Sequence, residues 1–447
     1  MGCKVNQYDT RAMVGLFAAE GYVEVSFDTP ADVVLVNTCT VTGEGDRKSR
    51  QCIGKARRLN PSARIIVCGC LAQRKPETLM LDGVALILGT QRRREVVRLL
   101  EEAAQSDTTL LAVDNDFCAE YEPLTNDGGA GGKTRAIIKI EEGCDCHCAY
   151  CVIPSVRGGV RSRPLRDIEA EARKLGEAGF KEIVITGINL SRYGADFTQD
   201  TTDSTSRASL ADAVRVVAEA SRSPRIRISS LEPAAINERF VDEMSRIPTL
   251  CPHFHVSLQS GCDAVLSRMN RRYTAGEYAV AVNMLRSAYT DKFSDKSTDK
   301  FFDKDAAITT DILMGFPGET DDEFEQTLAF ARETGFSRLH VFPFSAREGT
   351  AAAAMVGQVP VNVRRERAAK LIELGKQLEE MYINRKIGSV SNVLFEQGFV
   401  MEGKRGAAGY TGDYVRVFAV NAVPGEIMRV RLKSQRNRLI IGELTEP

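Results

Sequence analysis

Hydrophobic positions along the chain fall into three regimes. "ADVVLVNTC" (31–39), "ARIIVCGC" (63–70) and "VALILG" (84–89) are short apolar, β-branched runs, each closed by a polar or glycine turn and parted by charged, helix-like text. This alternation predicts a parallel α/β sheet, in which ligands gather beyond the carboxyl ends of the strands. Text over 90–132 turns helical and then irregular, after which six strand-like runs recur: "AIIKIEEG", "EIVITGIN", "RIRISSLEP", "FHVSLQS", "ITTDILMGFPG" and "RLHVFPFS". Amphipathic segments such as 165–178 and 321–334 stand between them. Six parallel strand-helix units predict a complete or partial (β/α) barrel, with functional residues on loops at the C-terminal strand ends. Beyond a helical run over 361–386, "SNVLFEQ", "DYVRVFAV", "EIMRVRLKS" and "RLIIGEL" alternate with glycine-containing turns, as in a small β-barrel.

The glycines of "NDGGAGGKT" (126–134) mark a flexible joint, so the expected division is 1–125, 133–375 and 384–447. Residues 290–305 repeat Asp-Lys with little apolar content and read as a solvated insertion. Lys plus Arg number 59 against 60 Asp plus Glu, so a nucleic-acid partner would need a local basic patch. From Arg385 onward there are ten basic against six acidic residues, which suits an RNA-binding appendage or a merely soluble surface. The start, "MGCKVNQYDTR", has no signal-peptide core, no segment has the length of a membrane span, and a cytoplasmic protein is expected. Asn6 stands where a lipidation signal at Gly2 wants Ser or Thr.

In a reducing compartment, twelve cysteines point to metal or catalysis where clustered, and isolated ones (Cys52, Cys118, Cys251, Cys262) to small apolar side chains. "EEGCDCHCAYC" (141–151) crowds Cys144, Cys146, Cys148 and Cys151 into eight positions. Four thiolates could hold zinc, although structural zinc sites generally draw ligand pairs from two separated knuckles. Taking Cys144, Cys148 and Cys151 gives CxxxCxxC, three ligands for a 4Fe-4S cube that keeps one iron open. Cys146 is then a locally exposed extra thiol.

That spacing, with Tyr150 inside the last CxxC, resembles the radical S-adenosylmethionine signature. "GCKVNQYDT", "NTCTVT", "SRQCIGKARRLNP", "CGCLAQ", "EEGCDCHCAYCVIPSVRGGVRSR", "RIRISSLEP", "HFHVSLQSGCDAVLSRMNRRYT" and "TTDILMGFPGETDDEF" stand in the order found in the methylthiotransferases. The blocks most resemble the branch acting on threonylcarbamoyladenosine at tRNA position 37, rather than on isopentenyladenosine or a ribosomal protein. "GYTGDYVRV" resembles part of a TRAM domain. The resemblance implies a second 4Fe-4S cluster on Cys3, Cys39 and Cys70, with Cys70 favoured over Cys68 because it stands in the turn, and Cys52 buried. Cys3 has no strand leading into it, so an absent or mis-assigned first strand is suspected. The resemblance also implies S-adenosyl-L-methionine, tRNA, and an electron donor such as a flavodoxin or ferredoxin. Cofactor contacts are expected from Tyr150, Gly187, Asn189, Glu232, Gln259 and Ser260, and from the Ile312–Glu319 stretch beside adenine. Arg157, Arg161 and Arg163 are expected to hold RNA phosphates. The rival from another class is a non-catalytic, metal-stabilised RNA-binding protein.

Overall fold

The computed structural model describes residues 2–40, 43–106, 108–126, 134–197, 208–292 and 306–445. The glycine joint and most of the Asp-Lys stretch therefore lie outside the described residues, although the helix Ala275–Lys292 runs into the first positions of that stretch.

Four parallel strands, β1 (Val33–Thr38), β2 (Arg64–Gly69), β3 (Val84–Leu88) and β4 (Leu110–Ala112), form the first sheet in that order. Helices Lys4–Ala19 and Val96–Ala103 cover one face through Met13, Phe17, Leu99 and Leu100. Helix Gly43–Leu59 covers the other through Ile53 and Ala56. Double coverage explains why "RIIVCG" is apolar without alternation. β4 falls where irregular text was expected. Cys3 is the N-cap of the helix Lys4–Ala19, not the end of a strand.

β5 (Arg135–Lys139) leads into a two-residue hairpin, β6 (Glu141–Glu142) with β7 (Arg161–Ser162). The wall then continues through β8 (Glu182–Thr186), β9 (Arg225–Ile228), β10 (Ser230–Leu231), β11 (His253–Val256), β12 (Ala307–Met314) and β13 (Arg338–Pro343). β9 and β10 are one strand broken at Ser229, and an Ile226–Leu250 bridge helps join the sheets β5-β8-β9 and β10-β11-β12-β13. All pairings in these two sheets are parallel, giving the six-stranded partial barrel read from the sequence. Ile183, Ile185, Ile226, Ile228, Phe254, Val256, Ile308, Ile312 and Met314 face the helices in the main core. Strand alternation therefore turns Val184, Arg227, His255, Asp311 and His340 to the barrel interior.

β14 (Val390–Met401), β15 (Lys404–Thr411), β16 (Arg416–Val420), β17 (Ile427–Arg436) and β18 (Leu439–Leu444) close into a barrel of order β14-β15-β16-β18-β17. Among the described residues, no helix is long and apolar enough to cross a membrane.

Candidate cluster and cofactor site

Two loops bring the first thiol set together. Gly69 adopts φ +91°, and a Cβ there would sit 2.6 Å from the Thr38 carbonyl oxygen, so only glycine lets the ends of β1 and β2 approach so closely. The Thr38 hydroxyl donates to the Cys68 carbonyl at 2.6 Å and accepts from the Leu71 amide at 3.1 Å, fixing the turn that presents Cys70. Cys68 is buried in the core beside Ile66 and Leu86, and Cys70, also buried, starts the next helix. Burial raises the Cys70 thiol to about 11, Arg157 opposes it, and Cys3 and Cys39 both act on it electrostatically. The three thiols thus share one neighbourhood. Asn6 ties them: its amide donates to the Thr38 carbonyl at 2.8 Å, and its oxygen lies 3.8 Å from the Cys3 sulfur.

The second set lies on the loop after β6. Gly143 takes φ +81°, and a Cβ would fall 1.8 Å from the Gly159 carbonyl oxygen, so the loop doubles back tightly just before Cys144. Cys148 and Cys144 both bear electrostatically on Cys151. Arg271 donates to the Cys148 sulfur at 3.1 Å and pairs with Glu232. The Asn189 amide lies 3.6 Å from the Cys144 sulfur and 3.3 Å from that of Cys146. A hydrogen bond from Cys146, working against burial and aided by Asn189, lowers Cys144 to about 6. Ligand atoms of Cys144, Asp145 and Cys146 lie within 4.8 Å of one another, the one grouping this tight among the described residues. Asp145, however, is engaged by Arg192 at 2.5 and 2.8 Å. Corner ligands of a cube stand wider apart than ligands of a single ion. Cys144, Cys148 and Cys151, and likewise Cys3, Cys39 and Cys70, therefore suit 4Fe-4S cubes by donor chemistry.

Arg157 ties the first set to the hairpin from which the second loop departs. Six residues after Cys151 and 1% exposed, it donates to the Cys70 sulfur at 3.3 Å, Asn6 Oδ1 at 2.5 Å and Glu142 Oε1 at 2.6 Å. This corrects the phosphate-binding expectation. Arg161, 5% exposed, donates to the Arg157 and Gly159 carbonyls, and Arg163, 2% exposed, pairs with Glu171. All three guanidinium groups are buried with protein partners, so none is free to reach an RNA backbone.

Other expectations divide. Gly187 and Asn189 stand beside Glu141: the Asn189 backbone N–H donates to Glu141 Oε2 at 2.7 Å, while the buried Glu141 Oε1 has no hydrogen-bond partner. An orphaned buried carboxylate oxygen beside the cluster loop suits a ligand bearing an ammonium group. Glu232 is held by Arg271 at the same loop. Gln259 takes φ +67° and extends the β11–β12 pairing, its amide bonded to the Asp311 carbonyl at 2.9 Å. Ser260 is a correction: it is fully buried, with its hydroxyl against Thr327 at 3.1 Å, and is closed to a ribose. Tyr150, half-buried, packs with Leu313 against Ala149, Met269 and Phe316 and braces the loop. Within the Ile312–Glu319 stretch, the Gly315 amide donates to Glu319 at 2.8 Å, and Arg367 holds that carboxylate. Cys251 and Cys262 are buried and Cys52 is half-buried, but Cys118 is exposed, contrary to expectation. Arg271, Asn6 and Glu141 were not given site roles from the sequence, although each lies inside a quoted block: Arg271 in "HFHVSLQSGCDAVLSRMNRRYT", Asn6 in "GCKVNQYDT" and Glu141 in "EEGCDCHCAYC".

Residues 1–89 match the family described as "Uncharacterized protein family UPF0004", and residues 138–331 match the "Radical SAM superfamily". The threonylcarbamoyladenosine tRNA methylthiotransferase MtaB of Bacillus subtilis (strain 168) is 36% identical, over 100% of this chain and 97% of its own. MtaB of Thermotoga maritima is 37% identical, over 99% and 95%. The tRNA-2-methylthio-N(6)-dimethylallyladenosine synthase of Geobacillus kaustophilus is 32% identical, over 99% and 81%. Among solved structures, the radical S-adenosylmethionine methyltransferase TsrM from Kitasatospora setae shares the fold, with TM-score 0.53 and 14% identity over 77% of this chain and 71% of its own.

Proposed function

The chain belongs to the radical SAM methylthiotransferases, and from that premise we propose that it adds a methylthio group to C2 of threonylcarbamoyladenosine at tRNA position 37. The observation that carries the reading is the pair of contacts by which Arg157 joins the Cys70 sulfur to Glu142, two residues before Cys144, because a sulfur-delivering site and a radical-generating site must serve one substrate atom. The naming of the MtaB relatives supports this branch. When bound, a 4Fe-4S cube supplies the electron that cleaves S-adenosyl-L-methionine, and a second cube supplies the sulfur. Cys144, Cys148 and Cys151 would hold the first, and Cys3, Cys39 and Cys70 the second. Glu141, Asn189 and Glu232 would orient the methionyl end, with Tyr150, Gly187 and Gln259 as further candidates for cofactor contact. Arg271 would steady the Cys148 sulfur.

Residues 384–447 would act as a TRAM-like RNA grip. Arg429, Arg431 and Lys433 point outward from β17, alternating with the buried Val430 and Leu432. A flavodoxin- or ferredoxin-like electron donor and a cytoplasmic setting complete the reading. Nucleoside mass spectrometry of tRNA from a deletion strain tests it. Methylthio-threonylcarbamoyladenosine should vanish and return with the gene; its persistence where no second gene makes it would overturn the substrate. Protein purified without oxygen should hold about eight irons, four per cube. Zinc in their place would favour the non-catalytic rival.

A further inference from the structure

The floor of the barrel is sealed. Tyr410 and Tyr414 of the C-terminal barrel stack at 4.9 Å, and Tyr414 stacks on His253 at 5.0 Å. Arg227 and Arg135 lie over the Tyr414 ring at 4.6 and 5.2 Å, and both pair with the buried Glu182. Above this floor stands a layer that no step of the proposed reaction uses. His255 Nε2 lies 3.4 Å from Asp311 Oδ1, His255 Nδ1 lies 3.0 Å from the Thr309 hydroxyl, and the His255 and His340 rings meet edge-on at 5.7 Å. Asp311 and His340 are direct partners in the β12–β13 register. These groups are only half-buried, the Asp311 side chain keeping 32% of its exposure, so they border open space. One layer higher, Phe342 is 44% exposed. The positive charge of Lys4, in the first turn of the helix that follows Cys3, acts on both His253 and His340.

We propose that this layer is the pocket for the N6 substituent of the substrate adenosine, built for a hydrophilic, carboxylate-bearing group and against an apolar one. The proposal rests on the reading of the previous section and deepens it. The base enters from the C-terminal end of the strands, where the thiols lie, and Phe342 offers it a face to stack on. Two residues along a strand span about 6–7 Å, so a substituent on the purine edge reaches down to His255, Asp311 and His340. Asp311 accepts from the ureido N–H or the threonyl hydroxyl, and the imidazoles donate to the carboxylate. An isopentenyl group would displace water from the half-exposed Asp311 and His340 without offering either a new partner, and sites built for polar groups reject such an analogue.

The test uses reconstituted full-length enzyme and anticodon stem-loops bearing threonylcarbamoyladenosine, isopentenyladenosine or adenosine. Methylthio product is measured as kcat and KM, and binding to the cluster-free protein by fluorescence anisotropy. Wild type should favour the first stem-loop over the second by roughly a hundredfold or more. His340→Leu and the milder His340→Gln should each cut that preference about tenfold, mainly through KM, with a matching loss in anisotropy. Iron content and 5′-deoxyadenosine release should hold. A preference unchanged in the folded Gln variant overturns the pocket while leaving the substrate reading intact. A wild type that favours isopentenyladenosine overturns both.

Discussion

Arg157 shows how one side chain couples two sites. Its donor contacts run to a thiol of one set, to the asparagine beside another thiol, to Asp9, and to a carboxylate on the hairpin that opens the second loop. Arg157→Met should remove an N–H···S hydrogen bond and a positive charge, both of which favour the more negative, reduced state of a cluster on Cys70. A redox titration followed by electron paramagnetic resonance should show that cluster at a lower potential. Arg157→Lys should fall between, keeping charge but losing the fork. The thiols themselves were legible from spacing because a tight loop with three cysteines constrains what they can hold. The fate of Arg157 was not legible. Its partners Cys70 and Asn6 lie 87 and 151 residues away in sequence, and a basic residue beside a cluster loop reads as an exposed phosphate ligand until those partners fold around it.

At the level of elements, the helix Lys4–Ala19 is locked to the barrel by buried charge. Asp9 accepts from Arg93 at 2.5 Å and Lys139 at 2.6 Å, and Glu142 accepts from Lys139 at 2.9 Å, with all four side chains nearly inaccessible. This lock sets where Cys3 stands relative to the second thiol loop. Asp9→Ala leaves Arg93 and Lys139 short of one carboxylate, and thermal unfolding should report a loss of roughly 3–5 kcal/mol. Asp9→Asn, which keeps the shape, should lose less. Strands that repeat an apolar, β-branched pattern were readable, as were the long helices. β4 has only three residues, too few for a period to show. In β15, four consecutive positions, Gly406 to Gly409, are glycine or alanine, which reads as a turn although the close packing of β14 and β16 on either side is what demands small residues.

Across the whole molecule, the C-terminal barrel both seals the lumen and offers a basic face, and these duties separate by pH and by salt. Burial alone would raise Glu182, but Arg227, Arg135 and Arg225 overcome it and hold the carboxyl at about 2. A depressed carboxylate stabilises the fold above its unfolded value near 4.5 and loses that contribution as pH falls through its folded value. Stability carried by this floor should therefore decline between about pH 4.5 and 2, by on the order of 3 kcal/mol, and Glu182→Gln should flatten that part of the melting-temperature profile. The outer face answers to a different variable. Arg429 and Arg431 are exposed on β17, their side chains on the face opposite the buried Val430 and Leu432, so charge reversal there removes none of the ion pairs that hold Glu182. If the face grips RNA phosphates, Arg429→Glu with Arg431→Glu should weaken tRNA binding and reduce the slope of log affinity against log salt by about 1–2, while the pH profile stays as in wild type. An unchanged salt slope would assign the basic stripe to solubility and move the RNA path elsewhere on the molecule.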